Sequence, residues 1–382
     1  MRPTKAVIHL ENLKHNIRTL MQHTAAERRR NAPRGGDARS RPLFCVAVKA
    51  DAYGHGACPV AEAALSVGTE YLGIATVSEG RRLREHGIQA PILLFGLTSP
   101  DEFHEIVHLR LAPFVAEAGY IAELNRVAAG AGRKLGVHLK VDTGMGRIGC
   151  RPDEALELAR GIAAAGNLHL NGICTHFPVA DTPNSTFTRK QASTLTDVVA
   201  EIKAAGIDPG LVHAANSAAV LEYPEAWFDM VRPGIAVYGY YPSGDQERLL
   251  PLKPVMEFCS TVVFIKRVPK GTGISYGLSY RSSRDTTIAT VPAGYGDGFN
   301  RLLSNQGEVL IRGKRYPIVG RICMDQFMVD VGTDAEVQLG DPVTLFGPDR
   351  AGPNAEDVAN LTGTIAYEVI CSPTGRVPRL CR

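Results

Sequence analysis

The sequence predicts an α/β protein: a (β/α)8 TIM barrel followed by a mainly β C-terminal domain. Three observations carry that expectation. Between about residues 43 and 240, eight short apolar runs alternate with amphipathic stretches. Unusual polar residues stand at the C-terminal ends of those runs, where barrel enzymes place their chemistry. After about residue 242, β-branched runs cut by Gly and Asp turns replace the helical periods.

The first run, LFCVAV (43–48), ends on Lys49 and is followed by the glycine-punctuated ADAYGHG. The next seven are YLGIAT (71–76), PILLFG (91–96), LAPFV (111–115), GVHLKVD (136–142), LHLNGICTH (168–176), LVHA (211–214) and FDMVRP (228–233). Stretches such as PDEALELARGIAAAG and RKQASTLTDVVAEIKAAG lie between them with helical spacing. Eight such units suggest a closed parallel barrel. A doubly wound open sheet is the alternative, and the lack of a G-x-G-x-x-G after the first run weighs against it. The later runs PVMEFCSTVVFIKRV, TTIATVPAG, GEVLIRGKRYPIVGRICMDQFMVDVG and GDPVTLFG read as antiparallel strands. The expected division is a barrel over 1–242 and a β domain over 243–382, with the first ten or so residues packing against the second.

The 382 residues are 45% hydrophobic and 21% charged, with a net charge of +3, which is no signature of nucleic-acid binding. Residues 25–42 stand apart, with six arginines against Glu27 and Asp37 and a local net of +4. This stretch reads as an exposed flexible loop, being short, Pro/Gly-bearing and free of aromatics. The eight cysteines form no C-x-x-C pair, and several lie inside apolar runs. They read as reduced, buried thiols of a cytoplasmic protein, and no metal site is expected. The N-terminal stretch lacks the apolar core of a signal peptide, and no run approaches the roughly 20 residues of a membrane span.

Burying an unpaired ammonium ion at a strand end is costly, so Lys49 asks for a chemical reason. The other strand ends carry Arg147, His176, HAANS (213–217), and Arg232 with Gly234. The last two barrel loops commonly hold a phosphate. Here they offer Asn216, the Ser217 hydroxyl and free N–H groups near Gly234 and Ile235, which suit a phosphate dianion. A phosphate cradle opposite a strand-end lysine suits pyridoxal 5′-phosphate (PLP), whose aldehyde a neutral amine attacks. Partial burial among cations lowers a lysine toward that neutral form.

On these motifs the chain resembles the alanine racemase family of fold-type III PLP enzymes, along nearly its whole length. AVKADAYGHG looks like the family's PLP-lysine signature, with Lys49 as the Schiff-base lysine and Tyr53 near the phosphate. HLKVDTGMGRIG supplies Arg147, implied to contact cofactor and substrate carboxylate, and Lys140, a position often carbamylated in relatives. THF supplies His176 beside the pyridine ring. HAANS supplies His213, Asn216 and Ser217, and VRPGIAVYG supplies Arg232, Gly234 and Ile235. The second domain supplies Tyr276 (ISYG), Tyr295 (GYGDG), Met324 and Asp325 (RICMDQ) and Tyr367 (IAYEVI). The Arg-rich insertion departs from the family pattern and puts no motif residue in doubt, and THFPVADTPNS differs locally from the commoner THFA.

The resemblance implies interconversion of L- and D-alanine, supplying D-alanine for peptidoglycan. It implies a two-base mechanism, with Lys49 on the D-alanine face and Tyr276 of the other subunit of a homodimer on the L-alanine face. Tyrosine has an unperturbed pKa near 10, so nearby cations, or His176 acting through Arg232, are expected to lower it. The Met324 N–H would assist carboxylate binding, and Tyr276 with Tyr367 would favour a small side chain. Two rivals remain. A fold-type III decarboxylase is expected to carry a glutamate in place of Arg232 and a cysteine in place of Tyr276. A non-catalytic PLP carrier is expected to be a single barrel.

Overall fold

The computed structural model describes residues 2–31, 41–333 and 336–382. All eight expected runs are strands, and they close into one parallel barrel: Leu43–Ala47, Tyr71–Ile74, Ile92–Leu94, Leu111–Val115, Leu135–Lys140, Leu168–Cys174, Leu211–His213 and Met230–Val231. Each pairs with the next in sequence, and the last closes on the first through Leu43 opposite Met230 and Phe44 opposite Val231. Alternation along the strands sends Cys45, Leu93, Phe114, Cys174 and Met230 into the barrel interior, where all five are buried. Their outward neighbours, such as Phe44, Val46, Leu72 and Ile173, join the larger core beneath the helices. Each fully buried aliphatic or aromatic side chain there contributes about 1.5–3 kcal/mol.

The second body is a nine-stranded sheet. Its order is Phe264–Val268, Thr286–Val291, Phe327–Gly332, Lys314–Val319, Glu308–Ile311, Pro342–Phe346, Met256–Thr261, Lys5–Ile8 and Arg379–Cys381. Pairing is antiparallel except where Lys5–Ile8 runs parallel to Arg379–Cys381. Two short helices, Ala355–Thr362 and Ala366–Cys371, belong to this part of the chain. The second lies against the loop after the first barrel strand. A Cβ on Gly54, whose φ is +80°, would sit 2.5 Å from the Ile370 carbonyl oxygen, so only glycine permits that approach.

One expectation needs correcting. Residues 25–31 are not loop, because the helix Leu10–Asn31 runs through them. Leu13, Ile17, Leu20 and Met21 bury one helix face. Beyond them, Glu27 pairs with Arg30 one turn on, and the Arg28 guanidinium donates to the Phe228 carbonyl. Three arginines in the last turn also complement the negative end of the helix dipole. Residues 32–40 of that stretch lie outside the described residues.

All eight cysteines are free. Five are buried, whereas Cys371 and Cys381 are exposed. Among the described residues no helix is long and apolar enough to cross a membrane.

Candidate active site

A cavity of about 320 Å³ opens at the C-terminal rim of the barrel. Concavities of about 430 and 410 Å³ lie elsewhere, but this smaller one gathers the strand-end groups. Lys49, Tyr53, Lys140, Arg147, His176, Asn216, Ser217, Arg232, Gly234 and Ile235 line it from the barrel, and Tyr367 from the second domain. Four of these are basic residues, and no carboxylate is among the lining residues.

Lys49 enters at the start of an unusual turn. Ala50, Asp51, Ala52 and Tyr53 all have φ between 52° and 55°, a left-handed helical turn built without glycine. Such a residue costs about 1–2 kcal/mol, so the turn persists only where its surroundings over-determine it. Asp51 accepts from the Ala57 N–H at 2.9 Å and pairs with Arg82 at 2.7 Å. The buried His55 ring lies with Nδ1 2.8 Å from the Tyr53 carbonyl oxygen, and burial lowers its pKa to about 4, leaving a neutral ring that donates there. Arg379 Nε donates to the Gly54 carbonyl at 3.1 Å. The turn brings the Tyr53 ring to stack on Tyr238, centroids 4.8 Å apart. Its hydroxyl stands over Gly234, where a Cβ would lie 2.5 Å away.

Asn216, Ser217, Gly234 and Ile235, expected to form the cradle, line the cavity together, with one correction. The Gly234 N–H is not free, because Ser217 Oγ accepts it at 2.8 Å and the Ala236 N–H at 3.3 Å. Both oxygen lone pairs are thereby used, leaving the Ser217 O–H as a donor. Among the described residues the buried Ile235 N–H donates to no protein atom. Asn216 caps the helix Ser217–Glu222 by accepting from Ala219 N–H, and its amide donates to the Phe177 carbonyl.

Arg232 is buried and heavily bonded. Nη2 donates to the Thr175 and Ala214 carbonyls at 2.8 and 2.9 Å and lies 3.3 Å from His176 Nδ1. Nη1 donates to His213 Nδ1 at 2.6 Å. A guanidinium only donates, so His213 must carry its proton on Nε2. That nitrogen lies 2.9 Å from His138 Nδ1 and donates to it. Burial, then the Arg232 charge, holds His176 and His213 well below the ordinary histidine range, and lowers His138 to about 3. All three are neutral rings.

Burial, then Arg147, lowers the Lys49 amine from its ordinary value. Burial pushes the Tyr53 and Tyr367 phenols up. Lys140 is 3% exposed, and among the described residues its amine reaches only the Val141 carbonyl, at 3.3 Å. Burial lowers it to about 8. Among the described residues it forms no ion pair with Asp142, whose carboxylate instead accepts the Gly144, Met145 and Gly146 N–H groups and orders the loop carrying Arg147. An unfolded lysine, near 10.4, holds a proton that the folded one has lost between about pH 8 and 10. Stability therefore rises with pH through that window, by as much as about 3 kcal/mol. In decarbonated buffer, Lys140→Met is expected to gain more stability over wild type at pH 7 than at pH 10. Denaturant unfolding at the two pH values checks this, and an equal gain at both contradicts it.

Not every expected residue reaches this cavity. Tyr276, Met324 and Tyr295 are 72%, 52% and 43% exposed, and neither they nor Asp325 are among its lining residues. They occupy linked loops of the second domain. The Tyr295 N–H donates to the Cys323 carbonyl and the Gly296 N–H to the Met324 carbonyl. Arg376 donates to Asp325 at 2.6 Å and reaches Asp297 at 3.5 Å. Ser275 Oγ, beside Tyr276, donates to the Arg321 carbonyl. The sequence reading missed His138, Glu79, Asp142 as a loop organiser, and Cys371, which lines the cavity. The spacing of His138 two residues before Lys140 was the one available signal, since inward positions recur every second residue.

The family described as "Alanine racemase, N-terminal domain" matches residues 8–242, and "Alanine racemase, C-terminal domain" matches residues 255–381. The chain is 48% identical to the alanine racemase of Treponema denticola, over 100% of this chain and 98% of that protein. It is 42% identical to that of Desulforamulus reducens, over 99% and 98%. Among solved structures, the alanine racemase of Clostridium difficile 630 superposes with a TM-score of 0.92 at 37% identity, covering 100% of this chain and 96% of that one. The enzyme from D-cycloserine-producing Streptomyces lavendulae gives a TM-score of 0.91 at 37% identity, covering 100% and 97%.

Proposed function

The chain belongs to the alanine racemase family, and on that premise we propose that it interconverts L- and D-alanine with PLP held in the rim cavity. The observation that carries the reading is a cavity lined by four basic side chains and no carboxylate, which holds both a hydroxyl and amide cradle and Lys49, whose pKa is lowered. The residues fit the cofactor. The Ser217 O–H, the unpartnered Ile235 N–H and the Tyr53 hydroxyl beside Gly234 suit a phosphate. Asn216 shapes the same loop, and His176 would flank the ring. Bound there, PLP would acidify the substrate α-proton by drawing off the electron pair left behind.

The chain's own groups do the rest. Lys49, neutral in part because it is buried, takes or returns the α-proton on the D-alanine face. Tyr276 of a second copy does so on the L-alanine face. Its exposure, and its absence from the cavity of its own chain, favour a homodimer whose sites each use both copies. Arg232, held by His213, would offer PLP a hydrogen bond but no proton, which would temper its electron withdrawal and limit side reactions. Arg147 clamps the substrate carboxylate, assisted by the Met324 N–H of the second copy. Lys140, buried and without an acid partner among the described residues, suits a carbamate that would orient Arg147. Tyr367 and Tyr276 narrow the entrance to a small side chain, and Tyr295 and Asp325 support the Met324 loop. The barrel unit is taken as 1–242 and the β unit as 243–382, with the strand Lys5–Ile8 joining the sheet of the latter. The enzyme would act in the cytoplasm and supply D-alanine for peptidoglycan.

The test is an assay of PLP-supplied protein on a panel of L-amino acids. L-Alanine is expected to reach an equal mixture of enantiomers, serine to react more slowly, and lysine and arginine not to react. L-Alanine that stays optically pure, or carbon dioxide release from any amino acid, would overturn the proposal.

A further inference from the structure

Glu79 lies outside the cavity, yet its carboxylate joins two barrel loops. It is the third residue of the helix Val77–Glu85, and Thr76 caps that helix by accepting the Glu79 N–H. One carboxylate oxygen, Oε2, returns to the Thr76 N–H at 3.1 Å and also accepts the Ala75 N–H at 2.8 Å. A capping box needs no more than the first of these. The other oxygen, Oε1, crosses to the preceding barrel unit and accepts the Ala50 N–H at 2.6 Å.

Ala50 directly follows Lys49 and opens the left-handed turn. Asp51, His55 and Arg379 hold the turn further along. Glu79 holds the residue next to the lysine. We infer that Glu79 is a positioning residue for Lys49: by accepting the Ala50 N–H it fixes the turn that aims the lysine amine into the cavity. This rests on the reading of Lys49 as the acid–base group.

Two variants separate positioning from helix capping. Glu79→Gln has one acceptor oxygen in place of two and cannot serve both loops. Thr76→Ala removes the other half of the capping box and leaves the Ala50 contact intact. In the PLP-loaded enzyme, Glu79→Gln is expected to lower kcat about 10- to 100-fold, with KM for alanine within about threefold. In the full chain without PLP, hydrogen exchange over residues 49–54 is expected to quicken by about tenfold or more. Thr76→Ala is expected to lower the melting temperature while kcat and that exchange stay within about twofold of wild type.

Should Glu79→Gln fail to fold, Glu79→Asp is read the same way, because it keeps the charge but is too short to span both loops. Unchanged kcat and exchange would overturn the inference. So would Thr76→Ala losing kcat in equal measure at an equal thermal shift. The exchange measurement needs neither cofactor nor turnover, so it fails or stands apart from the racemase reading.

Discussion

Lys49→Ala is expected to lower alanine racemisation by at least about 10³-fold in both directions. A positioned acid–base group alone contributes about 10²–10⁴, and the same amine is proposed to anchor the cofactor. Both directions fall together because each turnover removes a proton from one face and returns it to the other. The fold should not suffer. Among the described residues the Lys49 amine makes no hydrogen bond or ion pair, and burial already disfavours its charged form. The melting temperature of the PLP-free variant is therefore expected to equal or exceed that of PLP-free wild type. A coupled assay for D-alanine with a thermal melt checks both parts. Activity above about a hundredth of wild type would remove Lys49 from the centre of the mechanism.

Tyr276→Phe is expected to cost at least about 10²-fold in racemisation, with a directional signature. If Lys49 serves the D-alanine face and Tyr276 the other, the variant keeps one working base. In deuterated solvent it should still wash deuterium into the α-position of D-alanine faster than it racemises. L-Alanine should exchange no faster than it racemises. Mass spectrometry of the separated enantiomers reads this directly, and equal exchange into both would contradict the assignment. A ring that is 72% exposed in one chain has no packing reason for so large an effect.

The barrel was legible because inward and outward alternation, with helical spacing between runs, survives in the residue order. All eight strands fall where the apolar runs do. Strand-end placement also brought Lys49, His176, Ser217 and Arg232 into view, because they converge on the one rim where barrel enzymes gather their chemistry. Other features left no such trace. The left-handed turn is built of Ala, Asp, Ala and Tyr, none of which advertises positive φ as glycine does. Glu79 looks like an ordinary helix-start acid, and its second loop is visible only in three dimensions. The arginines at 28–30 hid a helix whose buried face lies earlier in the same element. Residue order also cannot show whether Tyr276 reaches its own chain's cavity or another's.

Mixing decides the central claim that each site joins Lys49 of one copy to Tyr276 of another. Lys49→Ala and Tyr276→Phe subunits, dissociated together and reassociated in equal amounts, form mixed dimers as about half the population. Each mixed dimer carries one site with both lysine and tyrosine and one with neither. Recovery to about a quarter of wild-type activity is expected from two nearly inactive parents. No recovery, with mixed dimers demonstrated by mass, would contradict it.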